Sequence, residues 1–126
     1  MEPDDKFIFL GSFPHKETAS IYRACDIFIL PSEGEGFPLS VQEAMASGLP
    51  IITTDDEGYR PYNFDRTLLH LIKPTTMEIK RDITYVVSDE SLQKAMSKYS
   101  SVYARRYFDW NTTTTKLVGI YEQAMA

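Results

Sequence analysis

Residues 31–50 read Pro31-Ser32-Glu33-Gly34-Glu35-Gly36-Phe37-Pro38-Leu39-Ser40-Val41-Gln42-Glu43-Ala44-Met45-Ala46-Ser47-Gly48-Leu49-Pro50. An apolar run, Ile27 to Leu30, stops at Pro31, and a second one, Ile51 to Thr54, follows Pro50. Between them stand a polar glycine loop and an amphipathic segment, which predicts a strand, loop, helix, strand unit. Pro38 suits the first turn of that helix, where its missing N–H would have had no partner. Gly48 suits the left-handed residue just past the helix end. Val41, Ala44, Met45 and Leu39 form the expected buried stripe, and the bare Gly34 and Gly36 let a ligand approach the backbone closely.

A helix opening from such a loop, at the C-terminal end of a strand, presents unpaired N–H groups and the positive end of its dipole to an anion. Glu35 lies just before the helix start and Glu43 lies inside it, with 7 residues between them. The helical rise puts Glu43 about 7–8 Å beyond Pro38 along the axis. One carboxylate thus flanks each side of a phosphate-sized gap. A molecule with hydroxyls at both ends and phosphate in the middle fits, which describes a nucleotide-sugar. The plainer alternative is a buried βαβ unit whose two glutamates are merely solvated.

The stretch resembles the donor-binding motif of the GT-B glycosyltransferases, in particular the retaining group 1 or family 4 class. The matching residues are Pro31-Ser32, Glu35-Gly36-Phe37, and Glu43-Ala44-Met45-Ala46-Ser47-Gly48-Leu49-Pro50-Ile51-Ile52. The resemblance implies roles residue by residue. Glu35 would sit beside the donor sugar, bond one of its hydroxyls and stabilise positive charge developing at the anomeric carbon. Glu43 would accept hydrogen bonds from the ribose hydroxyls. Gly36, Phe37, Pro38 and Leu39 would lie where the backbone meets sugar and diphosphate. Pro38 replaces the common glycine there and removes one N–H, whereas Ser40 still offers an N–H and a hydroxyl. Gly11, opening the run to Pro14, would border the nucleotide base. The class needs no metal or other cofactor.

The 126 residues allow one domain with a real core. A hydrophobic share of 43% and a charged share of 25% are those of an ordinary soluble protein. The net charge of −5 argues against nucleic acid or an anionic membrane as partner. Lys80-Arg81 and Arg105-Arg106 read as solvated helix surface. Cys25 is the only cysteine, so no internal disulfide forms; it is expected to be a small buried hydrophobe. The acidic start, Met1 to Asp5, does not read as a signal peptide, and no apolar run approaches membrane-spanning length. A cytoplasmic protein is expected. His15 and His70 have no partners spaced for a metal and read as surface or packing residues.

Along the chain, Lys6 to Gly11 predicts a strand and Glu17 to Cys25 a helix with Ala19, Ile21, Tyr22 and Ala24 inward. Ile27 to Leu30, apolar throughout, suits a parallel strand covered on both faces. Leu68 to Ile72 predicts a third strand, and helical signals run from Thr76 to Val87. Ser91 to Phe108 carries a stripe at Leu92, Ala95, Met96, Tyr99, Val102, Tyr103 and Tyr107. A last helix after Trp110 carries Leu117, Ile120, Tyr121 and Ala124. Alternating strands and helices imply an α/β fold with a parallel Rossmann-like sheet.

By the resemblance, residues 1–126 are a single partial nucleotide-sugar-binding domain, an incomplete C-terminal lobe of a GT-B enzyme without its first strands. The N-terminal acceptor lobe would be missing as well. A doubly wound order would place the absent strands between the Phe7 and Ile27 strands. The Ile27 edge would then be bare, to be closed by direct repacking or by a second copy in a homodimer, while the missing N-terminal acceptor lobe or a partner chain is expected as a separate partner.

Three functions compete on these residues. One is retaining glycosyl transfer, with the chain a donor-binding part that is inactive alone. The second is a non-catalytic nucleotide-sugar-binding or interaction module. The third is a glycoside hydrolase with Glu35 and Glu43 as acid and base; a helix start between the two carboxylates favours a bound anion over that arrangement.

Overall fold

Three short parallel strands carry the fold: β1 (Phe28–Leu30), β2 (Ile51–Thr54) and β3 (His70–Ile72), in the spatial order β1-β2-β3. The structure is a computed structural model that describes residues 6–125; the acidic start, Met1 to Asp5, lies outside the described residues. Helices flank the sheet: α1 (His15–Arg23), α2 (Leu39–Ala46), α3 (Thr76–Val87), α4 (Glu90–Tyr107) and α5 (Trp110–Met125), with a 3₁₀ helix at Glu57–Tyr62 after β2. The α/β parallel architecture expected from the sequence is present. Register aligns Ile29 with Ile52 and Ile52 with His70.

β2 is buried at all four positions, so successive side chains feed opposite layers. Ile51 joins Val41, Ala44, Met45, Leu49, Tyr59, Phe64, Leu69 and Ala104 on one side of the sheet. Ile52 joins Val86 and Met96 on the other. α4 is long enough to serve both layers, through Met96 near its start and Ala104 near its end. Each fully buried Val, Met or Ile contributes about 1.5–3 kcal/mol relative to exposure.

α2 ends as its sequence dictates. Leu49 N–H donates to Ala44 O at 3.1 Å and Gly48 N–H to Met45 O at 2.9 Å, while Gly48 takes φ +77°. This is the paired bonding of a left-handed C-terminal cap. Ser97 Oγ then donates to Gly48 O at 2.6 Å and ties α4 to the cap. At the other end, Pro38 is the N-cap, one residue outside the helix, instead of within its first turn.

Several expectations need correction. Phe7 to Leu10 form no strand; their exposures are 64%, 80%, 84% and 52%. A strand exists only against a neighbour's N–H and C=O groups, and among the described residues no strand pairs with this segment. For the same reason β1, pairing only with β2, is an edge strand and is partly rather than fully covered. Ala19, Ala24 and Cys25 are exposed because α1 packs only its Tyr22 side; the Cys25 thiol donates to Ile21 O. Leu39 is 59% exposed, since the first turn of α2 reaches past the sheet. On α4 the buried stripe is Met96, Ser100 and Ala104, whereas Ala95, Val102 and Tyr107 face out. Small residues win there because α2 and α4 approach closely. α5 is a helix as expected, but none of its residues is buried.

Gly48→Ala should lower stability by about 1–2 kcal/mol, the cost of a Cβ in the left-handed region. The added carbon would meet only Ser97 Oγ at 3.6 Å, so the backbone and not a clash is responsible. A shift of the urea midpoint at unchanged slope measures it; no shift would mean that the cap relaxes freely.

Candidate functional site

The loops after β1 and after β2 leave the sheet at the same edge, as parallel strands require. Glu33, Gly34 and Glu35 are exposed, so burial does not hold the first loop. Its shape rests on backbone that glycine alone adopts readily: Gly34 has φ +71° and Gly36 +67°. Asp56, from the second loop, holds it in place. One carboxylate oxygen accepts from Gly34 N–H and the other from Gly58 N–H, both at 2.8 Å. The Gly58 bond first, and the Gly34 bond second, hold the Asp56 carboxyl below its ordinary range. Gly58 lies so close to Gly36 that a Cβ there would overlap the Gly36 backbone.

Phe37 anchors the far end of the loop. Its ring lies 4.3 Å from that of Tyr62, 5.3 Å from Phe108, 5.5 Å from Tyr59 and 5.6 Å from Phe64. The side chain is therefore a packing plug, and only the backbone of Phe37 is left to face a ligand. Pro38 and Leu39 then open α2, whose start has no side-chain cap. Ser40, half-buried, lies in that uncapped first turn.

Glu43 is one turn further on, with its side chain 26% exposed. Tyr22 Oη, from α1, donates to its Oε2 at 3.4 Å, and His15 Nδ1 stands 3.6 Å from Oε1. Burial first, then the nearby Glu43 charge, pushes the Tyr22 phenol up. Glu43 lines two open grooves. One, about 460 Å³, includes Leu39, Tyr62, Tyr107 and Trp110; the other, about 450 Å³, includes Tyr22, Arg23 and Ser47. Glu35 lines neither groove. The structure thus brings Gly36, Phe37, Pro38, Leu39 and Ser40 together at the helix start, with Glu43 one turn further in. It leaves Glu35 on the exposed loop ahead of them. Gly11 stands apart, upstream of α1, with open space around it.

Three residues of this region escaped the sequence reading. Tyr22 reads as a packing residue and His15 as a surface or packing one; the His15 side chain is 82% exposed, and both also reach Glu43. Asp56 carried a readable signal: an Asp two residues before Gly58 fits a side chain bonding to backbone two residues on. Glu57 turns away, its side chain 84% exposed and 3.5 Å from Arg60. His70 is a packing residue, 2.7 Å from Asp82 and under Tyr85. Among the described residues no three His, Cys, Asp or Glu side chains cluster so as to hold a metal. Nor is any helix long and apolar enough to cross a membrane.

The family model "Glycosyl transferases group 1" matches residues 1–102. The chain is 31% identical over 125 residues to a D-inositol 3-phosphate glycosyltransferase of Saccharomonospora viridis, covering 98% of this chain and 28% of that protein. It is 29% identical to the mannosylfructose-phosphate synthase of Agrobacterium fabrum, over 94% of this chain and 26% of that one. The chain therefore spans little more than a quarter of the length of these relatives. In structure it is similar to sucrose-phosphate synthase from Thermosynechococcus elongatus, with a TM-score of 0.83 at 24% identity, over 94% of this chain and 30% of the other. That likeness bears on the fold.

The aromatic cluster behind Phe37, together with Tyr22 against Phe28, gives an alkaline signature. Burial is the largest cause that raises the phenols of Tyr22, Tyr59, Tyr99 and Tyr103, the last to about 12. In the unfolded chain these groups ionise near 10.0, so the unfolded state loses protons first. Stability should be fully present below pH 10 and fall as pH rises towards 12. Tyrosinate absorbance should rise in step with loss of the helical signal. Ionisation of all tyrosines at the ordinary pH, with the fold intact, would contradict it.

Proposed function

The chain belongs to the group 1 glycosyl transferases, and from that membership we propose that it forms part of a donor site for a nucleoside-diphosphate sugar. The observation that carries this reading is Glu43, a half-buried carboxylate one turn inside a helix whose start is uncapped. A ribose offers two hydroxyls to such a carboxylate, and the diphosphate meets the N–H groups of Leu39 and Ser40 at the positive helix end. Glu35, on the loop before it, faces the sugar and stabilises positive charge at the anomeric carbon as the leaving diphosphate departs. Transfer proceeds with retention. The reading invokes no metal, because the helix start answers the phosphate charge.

A chain covering about a quarter of its relatives' length holds one side of such a site. The acceptor's binding surface belongs to residues outside it, and the chain alone is inactive in transfer. A glycoside-hydrolase reading would need Glu35 and Glu43 to face each other across one sugar. The grooves beside Glu43 do not include Glu35, which counts against it.

Calorimetric titration with UDP, GDP and ADP and their sugar conjugates tests the reading. One nucleotide should bind, and Glu43→Gln should weaken it by about 10- to 100-fold, the worth of hydrogen bonds to a charged group. Absence of binding across the panel, or equal binding by the variant, would overturn it.

A further inference from the structure

We propose that Asp56 is a positioning residue for the loop that carries Glu35, holding it by accepting from Gly34 N–H and Gly58 N–H at once. The ligand-side consequence rests on the donor reading above; the clamp itself does not.

Three observations converge on it. First, the loop has little else to hold it. Glu33, Gly34 and Glu35 are exposed, and both glycines are in the left-handed region, a conformation with many competitors in a free chain. Second, the two bonds go to different oxygens of one carboxylate, each at 2.8 Å. Only a side chain with two acceptor oxygens and the reach of aspartate satisfies both donors. Asparagine offers one acceptor and would turn its NH₂ towards the other N–H. Third, the clamp closes on a contact that only glycine permits, since a Cβ on Gly58 would strike the backbone of Gly36. The depressed Asp56 carboxyl agrees with two donors on the ionised form.

The clamp acts on one half of the site. α2 is held by Val41, Ala44 and Met45 in the core, and Glu43 is reached by Tyr22 and His15, none of which touches Asp56. Phe37 pins the end of the loop nearest α2. Asp56 therefore sets where Glu35 stands while leaving Glu43 alone. Loss of the clamp should remove the sugar's share of binding and spare the nucleoside diphosphate's share.

The experiment joins two measurements on the whole chain. Amide hydrogen exchange is followed by NMR in the wild type, Asp56→Asn and Gly58→Ala. Gly34 N–H should exchange at least about tenfold faster in both variants, a loss of the order expected for a bond to a charged acceptor. In the wild type the Gly34 amide shift should also follow the titration of the Asp56 carboxyl, which needs no variant to fold. Unchanged exchange, or an amide shift indifferent to that titration, overturns the clamp. In parallel, the bound nucleoside diphosphate and its sugar conjugate are titrated against wild type, Asp56→Asn and Glu35→Ala. The ratio of the two affinities should fall in Asp56→Asn towards its value in Glu35→Ala, with diphosphate affinity unchanged within about twofold. A ratio that holds at the wild-type value, or diphosphate binding lost equally, overturns the positioning role. Should the wild type bind no nucleotide, the donor reading fails by itself and the exchange data still decide the clamp.

Discussion

The structure depends on β2 being sealed on every side. Its backbone bonds to a parallel strand on each edge, and its four side chains are buried on both faces. A four-residue strand cannot supply that coverage from its own neighbourhood. The chain must send α2 and the segment through Phe64 to one face, and α3 with the start of α4 to the other. Parallel pairing also forces each connection to cross the sheet, which is why helices alternate with strands here. Thr53 shows how tightly the centre is closed. Its hydroxyl donates to Leu30 O at 2.9 Å and lies 3.1 Å from Tyr59 Oη, so this polar side chain is satisfied inside, whereas the equally buried Thr54 hydroxyl finds no hydrogen-bond partner among the described residues.

The same constraint makes the site. Strands that run in one direction deliver all their outgoing loops to one edge, and the loop after β1 must therefore meet the loop after β2. Rigid core thus ends where irregular backbone begins. Asp56 and Gly34, 22 residues apart in sequence, are bonded because of the strand directions and not because of any local affinity. Phe37 marks the transition: its ring belongs to the aromatic cluster of Tyr59, Tyr62, Phe64 and Phe108, and its backbone belongs to the rim.

Much of this was legible in residues 31–50, because α2 is punctuated by residues with few uses. Gly48 reads as a left-handed cap and is one; Pro38 reads as a helix start and stands one residue from it. Val41, Ala44 and Met45 were placed inward by period alone. The periodicity failed where burial depends on a neighbour the sequence does not announce. Phe7 to Leu10 have a strand's composition, but pairing is a property of two segments. Ser100 and Ala104 look less like core than Val102, yet the close crossing of α2 and α4 selects for small side chains. Asp56 announces its local bond to Gly58, but its bond to Gly34, like that of Tyr22 to Glu43, joins residues distant in sequence and near only once the sheet is formed. His15 likewise reaches Glu43 only through the placement of α1.

The bare Phe7-Ile8-Phe9-Leu10 segment has a consequence for how this chain behaves among its own kind. Four adjacent apolar residues with unpaired backbone, together with the open edge of β1, are the ingredients of edge-to-edge sheet growth. Lys6 on one side and Pro14 on the other act as breakers, since a charge resists stacking and a proline withholds its N–H. The net charge of −5 adds mutual repulsion that salt will screen. Colloidal stability in this chain is consequently an ionic-strength property, governed by residues that take no part in its core.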